Sequence, residues 1–458
     1  FYKPKIISIV VYLCIDEYNS NPNDFFYEDQ WNLQIVEANK AWEQSTGGLD
    51  MDGNEIVIAI LDDGYDLFHE DLRDNYWYNP DEIPDDGIDN DGNGYIDDNM
   101  GVNIQTGTGI HAGVKHGTQV AGIIGAQGNN GLGIAGISWN TQMLIVSGVS
   151  NIGEVIKGME YLYELKRLYI ESNGSRGANI VVNNFSGGLK RLFPSDFPSW
   201  CEVYDLLGSV GILSVGAVAN EDFDVEIEGD MPTLCESDYL VMVTNTDFRD
   251  EKVSDAAYGH FSVDLGAPGE NIISSSIGND YDEISGTSAS APHVTGAIAL
   301  LYSLPCEQLN SLIKSNPSLA SLEIKEALLN SVDPKESLEE TVSGGRLNIF
   351  KAMLELRQLC GTPDSGELDL SLHSNLQTSS SINNAFEISY KTDQLGQHTL
   401  SIFSVLGENI YSVKFTPPVF ENRSLALNLS RNNLSPGLYI VRLDNGTNSV
   451  SKPFIFQK

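Results

Sequence analysis

The sequence predicts an α/β protein: a three-layer domain built on a parallel sheet, followed by a small all-β sandwich. Three observations lead there. From Ile56 onward, short continuous apolar runs alternate with helical patterns, the signature of strands buried on both faces with helices packed against them. One stretch of small residues, Gly286-Thr287-Ser288-Ala289-Ser290, leads into a strongly apolar helical pattern at Val294, Ala297, Ile298, Leu300 and Leu301. After Cys360 the helical periodicity stops, and short strand-like runs recur at nearly even spacing, as in sandwiches.

In chain order, residues 1–27 read as a leader or a propeptide remnant. Lys3 and Lys5 precede the apolar run Ile6 to Cys14, which has the outline of a signal core without a small-residue cleavage site after it. The same alternating Ile and Val residues also suit a propeptide strand. The main domain is placed at residues 28–360. Strands are expected over Ile56–Leu61, Met143–Val149, Ile180–Val182, Gly211–Val218 and Leu240–Asn245. Helices are expected over Thr118–Ile124, Ile152–Ile170, Trp200–Leu207, Glu323–Ser331 and Arg346–Leu359. A Gly, Pro and Asp-rich linker covers 361–369, and seven short strands fill 370–458.

The chain has 458 residues, with 26 Lys and Arg against 64 Asp and Glu, a net charge of −38. Nucleic acid and anionic membrane surfaces are therefore excluded as partners, while divalent cations are favoured. No apolar stretch is long enough for a transmembrane helix. The five cysteines form no CxxC pattern. In an oxidising compartment, neighbourhood alone suggests Cys201 with Cys235 and Cys306 with Cys360, leaving Cys14 over; connectivity stays open at this level.

Three motifs carry chemistry. The apolar strand ending at Leu61 runs straight into Asp62 and then Asp63-Gly64; reacting groups in such sheets lie beyond the carboxyl ends of strands. His116 opens the small-residue helix His116-Gly117-Thr118-Gln119-Val120-Ala121-Gly122. Ser288 stands near the start of the late apolar helix, where the helix dipole suits a nucleophile that gathers negative charge. Pro292 is expected in that helix's first turn, where a missing N–H costs nothing. His69, His111, His260 and His293 have no comparable context. A fourth stretch, Asp89-Asn90-Asp91-Gly92-Asn93-Gly94-Tyr95-Ile96-Asp97-Asp98, has the alternating oxygen donors and central glycines of an EF-hand-type calcium loop. Asp89, Asp91, Asn93, the Tyr95 carbonyl and Asp97 are its candidate ligands; Met100 stands where such loops carry a bidentate Glu, and Asp98 is the candidate substitute.

The stretch around Ser288 resembles, almost letter for letter, the serine motif of the subtilisin-like serine proteases (the subtilase, or peptidase S8, family). The order Asp62, His116, Ser288 is that family's order, and the resemblance covers roughly residues 28–356. It implies a secreted endopeptidase that hydrolyses peptide bonds in protein or peptide substrates through an acyl-enzyme. By resemblance Asn220 donates to the oxyanion, although Ala219 precedes it where the family has Gly. Asn183, Ser186, Gly187 and Gly188 match the strand that pairs with substrate backbone, with Phe185 where a Ser is usual. Analogy favours apolar residues in the first specificity pocket. A second calcium site is implied at Asp71 and Asn130, completed by the carbonyls of Leu132 and Ile134.

Residues 370–458 resemble the C-terminal sorting domain of type IX secretion, through Val405-Leu406-Gly407-Glu408, Leu434 to Leu443 and the closing Lys452 to Lys458. The resemblance implies the type IX machinery as a partner, removal of the module on export, and a secreted or cell-surface destination. A monomer that needs structural Ca2+ is expected. Two rivals use the same scaffold: a peptide ligase or cyclase, which shares the acyl-enzyme, and a catalytically silent surface-binding protein, which would need a broken triad.

Overall fold

The computed structural model describes residues 21–360 and seven strands of the C-terminal region. The first twenty residues with Cys14, and linker residues 361–368, lie outside the described residues. The chain divides into two compact units: Ser20–Gly361 forms one, and the strands beyond Thr362 belong to the other.

The strands of the first unit are β1 (Val57–Leu61), β2 (Gly101–Asn103), β3 (Gln142–Ser147), β4 (Ile180–Phe185), β5 (Leu189–Lys190), β6 (Leu213–Ala217), β7 (Asp230–Met231), β8 (Leu240–Thr246), β9 (Leu265–Pro268), β10 (Ile272–Ser276), β11 (Asp280–Ile284), β12 (Asp333–Pro334) and β13 (Gly345–Arg346). Nine of them make one sheet, in the order β12-β13-β9-β8-β6-β4-β1-β3-β2. Every neighbouring pair is parallel except β12 with β13.

The helices are α1 (Trp31–Ile35), α2 (Ala38–Trp42), α3 (Lys115–Gly125), α4 (Ile152–Glu171), α5 (Pro198–Ser209), α6 (Val225–Glu228), α7 (Thr287–Tyr302), α8 (Glu307–Ser315), α9 (Pro317–Asn330) and α10 (Ile349–Leu359). The period of two along β1 sorts its side chains into two cores. Ile58 and Ile60 join Val120 and Ile124 of α3 and Val294 and Ile298 of α7. Ala59 and Leu61 join Leu162 and Leu165 of α4 and Val203 and Leu207 of α5. This is the three-layer arrangement expected. Because β1 lies between β3 and β4, the chain reverses direction across the sheet there, and a crevice opens at the carboxyl ends of β1 and β4.

Several details differ from the sequence reading. Helix α7 starts at Thr287, so Pro292 lies inside it rather than in its first turn. Helix α10 starts at Ile349, not Arg346, because Asn348 caps it by accepting from the Lys351 N–H at 2.9 Å. Arg346 instead lies in β13, its guanidinium held by Asp250 and Asp333. Residues 21–27 belong with the main domain: Tyr27 is buried in its core, and the Phe25 N–H donates to the Leu132 carbonyl at 3.2 Å. The antiparallel hairpin β10–β11 packs on α3 and was not expected.

Cys201 pairs with Cys235, and Cys306 with Cys360, as neighbourhood suggested. The second unit contains β14 (Asp369–His373), β15 (Phe386–Lys391), β16 (His398–Ser404), β17 (Asn409–Phe415), β18 (Arg423–Leu427), β19 (Gly437–Asp444) and β20 (Ser449–Phe456). They form antiparallel sheets ordered β14-β15-β18 and β17-β16-β19-β20. Alternate residues Leu400 and Ile402 of β16 and Val441 and Leu443 of β19 are buried. Seven strands are present, as expected, the last spanning Ser449–Phe456.

Candidate active site

Asp62 follows the last residue of β1 and is 7% exposed. Its carboxylate accepts from the Asp63 N–H at 2.8 Å and faces the His116 Nδ1 at 2.9 and 3.0 Å. His116 is the second residue of α3. Gly117 lets this helix approach the strand end, since a Cβ there would meet the Gly64 carbonyl at 2.3 Å. The hydrogen bond to Asp62 raises the His116 imidazole above its ordinary value; partial burial opposes this, and the charges of Asp62 and Asp63 add to it. With Nδ1 on Asp62, Nε2 is the ring nitrogen left for chemistry.

Ser288 is the second residue of α7, which begins after Gly286 at φ 126°, a conformation only glycine adopts readily. Its hydroxyl donates to the Ser186 carbonyl at 3.2 Å. Asn220 follows β6 on an exposed turn. Its Oδ1 accepts from the Thr287 N–H at 2.8 Å and the Thr287 hydroxyl at 3.1 Å. That fixes the amide orientation and leaves Nδ2 as the free donor.

Two adjoining cavities share the strip Ser186-Gly187-Gly188. One is lined by Asp62 and His116. The other is lined by Ser288 and Asn220. The four expected catalytic side chains therefore surround one strip that leaves the end of β4. Asn183 does not join them. It is fully buried inside the sheet, and its amide donates to the Ser214 hydroxyl on β6 at 2.7 Å. Its assignment to substrate binding is corrected: it bridges neighbouring strands. Asn184 is likewise buried, donating to Ser186 Oγ at 2.9 Å.

The acidic loop holds a three-carboxylate cluster, Glu82, Asp91 and Asp98, with one oxygen of each within 4.8 Å of the others. Glu82 escaped the sequence reading. Its Oε1 accepts from the N–H groups of Asn90 and Asp91 at 2.8 and 2.9 Å. Buried Oε2 of Glu82 and Oδ1 of Asp98 have no hydrogen-bond partner. Burial pushes the Asp98 carboxyl up to about 6, with the charges of Asp91 and Glu82 adding to it. Asn93 donates to Asp91 and Asp98. Asp89 accepts from the N–H groups of Gly92, Asn93 and Gly94, and Asp97 from those of Asp86 and Gly87, each carboxylate keeping lone pairs for a cation. Both close turns of the loop. Tyr95 sets its ring edge-on to Tyr161.

At the second expected calcium site, Asp71 is 1% exposed and accepts from Asn130 Nδ2 at 2.8 Å and the Ile134 N–H at 2.9 Å. The Leu132 N–H donates to Asn130 Oδ1 at 2.8 Å, and its carbonyl accepts from the Phe25 N–H at 3.2 Å. Asp24, also missed, receives the N–H groups of Asn129 and Asn130 at 2.7 and 3.2 Å. Burial pushes its carboxyl up to about 6, and Asp71 contributes.

The Subtilase family matches residues 53–349, and the Secretion system C-terminal sorting domain matches residues 382–457. Subtilisin-like protease 1 of Plasmodium berghei is 28% identical over 367 residues, covering 73% of this chain and 56% of that protein. This chain thus spans little more than half the length of that relative. The Thermophilic serine proteinase of Bacillus sp. strain AK1 is 30% identical over 342 residues, covering 72% of this chain and 69% of that protein. A solved protease of Pseudoalteromonas arctica shares the fold, with TM-score 0.52 and 23% identity over 73% of this chain and 99% of its own. No helix among the described residues is long and apolar enough to cross a membrane.

Proposed function

The chain belongs to the subtilase family, and on that premise we propose that it is an exported serine endopeptidase with Asp62, His116 and Ser288 as its triad. The observation that carries this is the grip of Asp62 on His116 Nδ1, beside a strip it shares with Ser288. The sorting-domain match marks the chain for export or the cell surface, and we infer the type IX machinery as the partner.

In this reading the substrate carbonyl enters beside the Ser186–Gly188 strip. The Ser288 hydroxyl rotates from the Ser186 carbonyl toward His116 Nε2. Nε2 takes its proton as Oγ bonds to the scissile carbon, and Asp62 stabilises the imidazolium. The oxyanion receives Asn220 Nδ2 and the Ser288 N–H. His116 then protonates the leaving amine, the C–N bond breaks, and the acyl-enzyme remains. Water, deprotonated by His116, hydrolyses the ester and restores Ser288.

Calcium fits the donor sets of this chain. In the acidic loop, the orphaned oxygens of Glu82 and Asp98 with Asp91 supply hard, negative ligands. At the other loop Asp71 and Asn130 are joined by Asp24. A bound cation would neutralise these clusters and hold their loops; it takes no part in the bond-breaking steps.

The test combines a fluorophosphonate probe with an unbiased peptide library. Labelling and cleavage by the wild type, both absent in Ser288→Ala, are expected. Labelling that survives the substitution overturns the nucleophile, and ligated rather than hydrolysed products overturn the hydrolase in favour of a ligase.

A further inference from the structure

We propose that the cavity beside Ser288 receives a lysine or arginine side chain of the substrate, and that the Asp230 carboxylate selects it. This deepens the endopeptidase reading and rests on it, since it names the substrate residue preceding the scissile bond.

The cavity is lined by Ser288 and Thr287, by the glycines Gly187 and Gly188, and by Ala217, Val218 and Ala219. Such small residues make a slot with apolar walls, suited to the methylene stem of a long side chain. Asp230 is the sole carboxylate among the described residues lining it. It lies on β7, directly across from Lys190 on β5, and is 2% exposed.

The carboxylate is fixed and half engaged. Oδ2 accepts from the Ala219 N–H at 3.2 Å and the Thr233 hydroxyl at 2.6 Å. Oδ1 is left for an incoming donor. Among the described residues no cation pairs with Asp230. Lys190 also lines the cavity, yet its ammonium lies 3.3 Å from Glu221. Arg191 is held by Glu221 and Glu228. Burial pushes the Asp230 carboxyl up to about 6, with Thr233, Ala219 and Lys190 pulling the other way. At neutral pH it is thus a buried anion with no cation in contact, Lys190 acting on it only at a distance, an arrangement that is costly until a cation arrives. A guanidinium or ammonium in the slot supplies that charge together with donors for Oδ1. A carboxylate in the first specificity pocket is also how trypsin selects basic residues. The apolar preference suggested by family analogy is the opposite expectation, and nothing in local sequence flagged Asp230.

The decisive experiment uses fluorogenic peptides differing only before the scissile bond, with Arg, Lys, Leu or Phe there. Wild-type full-length protein is expected to give kcat/KM for Arg or Lys at least about tenfold above Leu. Asp230→Asn keeps an acceptor for Ala219 and Thr233, and should reduce that ratio at least about thirtyfold, as removal of one partner of a buried pair does. In parallel, calorimetry with benzamidine on the Ser288→Ala chain reads the pocket without catalysis; binding should weaken in the Ser288→Ala, Asp230→Asn double variant. A wild type that prefers Leu over Arg, or a ratio and benzamidine affinity unmoved by Asp230→Asn, overturns the proposal. The wild-type ratio and benzamidine affinity decide the matter even if Asp230→Asn does not fold. Benzamidine binding through Asp230, in a chain that takes no fluorophosphonate and cleaves nothing, supports the pocket and overturns the hydrolytic reading alone.

Discussion

Ser186 and Ser288 exchange hydrogen bonds: the Ser186 hydroxyl donates to the Ser288 carbonyl at 3.1 Å, and the Ser288 hydroxyl donates to the Ser186 carbonyl at 3.2 Å. The first bond has a cause in the sequence. Pro292, inside α7, has no N–H for the carbonyl four residues before it. That carbonyl belongs to Ser288, and Ser186 supplies the missing donor. The exit of β4 is thereby tied to the first turn of α7.

This relationship predicts coupling between Ser186 and Pro292. Ser186→Ala should destabilise by about 1 kcal/mol, the usual net worth of such a bond. In a Pro292→Ala background the helix regains its own donor, so the same substitution should cost measurably less. A denaturant double-mutant cycle reads the difference. Equal costs in both backgrounds would show that the Ser186 bond does not stand in for the lost helical one.

Asn220→Ala should lower kcat by about 10²–10³ while leaving KM nearly unchanged, because the Nδ2 donor acts on developing charge. It should also loosen the start of α7 slightly, since Oδ1 accepts from the Thr287 N–H. Asn183→Ala should behave differently, lowering stability through its buried bond to Ser214. Near-normal kcat in Asn220→Ala would remove it from the oxyanion site.

The pH profile of kcat/KM should carry an acid limb above the ordinary imidazole value of about 6.5. The Asp62 hydrogen bond raises His116, and only neutral His116 accepts the Ser288 proton. Asp63 adds to the shift, so Asp63→Asn should move the limb to lower pH. A limb at or below 6.5, or one indifferent to Asp63→Asn, contradicts this electrostatic account.

Calcium should raise Tm, and more so as pH rises from about 5 to 7. Asp98 and Asp24 have folded values raised to about 6 and Glu82 is also raised. Carboxyls raised on folding hold protons that the unfolded chain has released, so their ionisation lowers stability as pH climbs through the folded value. Metal binding displaces those protons and reverses the loss. Thermal melts in EDTA and in calcium across that range check this. Glu82→Gln compared with Asp71→Asn apportions the effect between the two loops, and an EDTA-insensitive melt sinks both sites.

What the sequence revealed was whatever local pattern encodes. Asp62 ends an apolar strand and His116 starts a small-residue helix, so each carries its position in its neighbours. Glu82 and Asp230 do not: the fold delivers Glu82 to Asp91 through backbone hydrogen bonds, and Asp230 to its cavity through the pairing of β5 with β7. Asn183 misled because a polar residue at the end of a buried strand reads alike whether it faces the cleft or the next strand. The hairpin β10–β11 was hidden because Ser274 and Ser275 are buried as donors to the Gln119 and Thr118 carbonyls of α3, and polar strand residues give no hydrophobic signal.

The last prediction concerns the C-terminal unit, proposed as dispensable for chemistry and required for export. Asp62, His116, Asn220, Ser288 and both candidate calcium loops lie within Ser20–Gly361. The disulfide Cys306–Cys360 closes that unit immediately before the boundary. Its cores are drawn from residues up to Cys360. The C-terminal unit has its own antiparallel sheets with buried Leu400, Ile402, Val441 and Leu443, and the sorting-domain match falls inside it at residues 382–457. The connecting Gly361-Thr362-Pro363-Asp364-Ser365-Gly366 has the composition of a linker. A chain ending at Thr362 should therefore fold and cleave peptides at close to the full-length rate, yet remain inside the cell envelope of its native host. The exported form should lack the C-terminal module, which intact mass of protein from medium or cell surface reads directly. Retention of Lys458 in that form would make the module a binding domain instead, and normal export of the shortened chain would remove its sorting role.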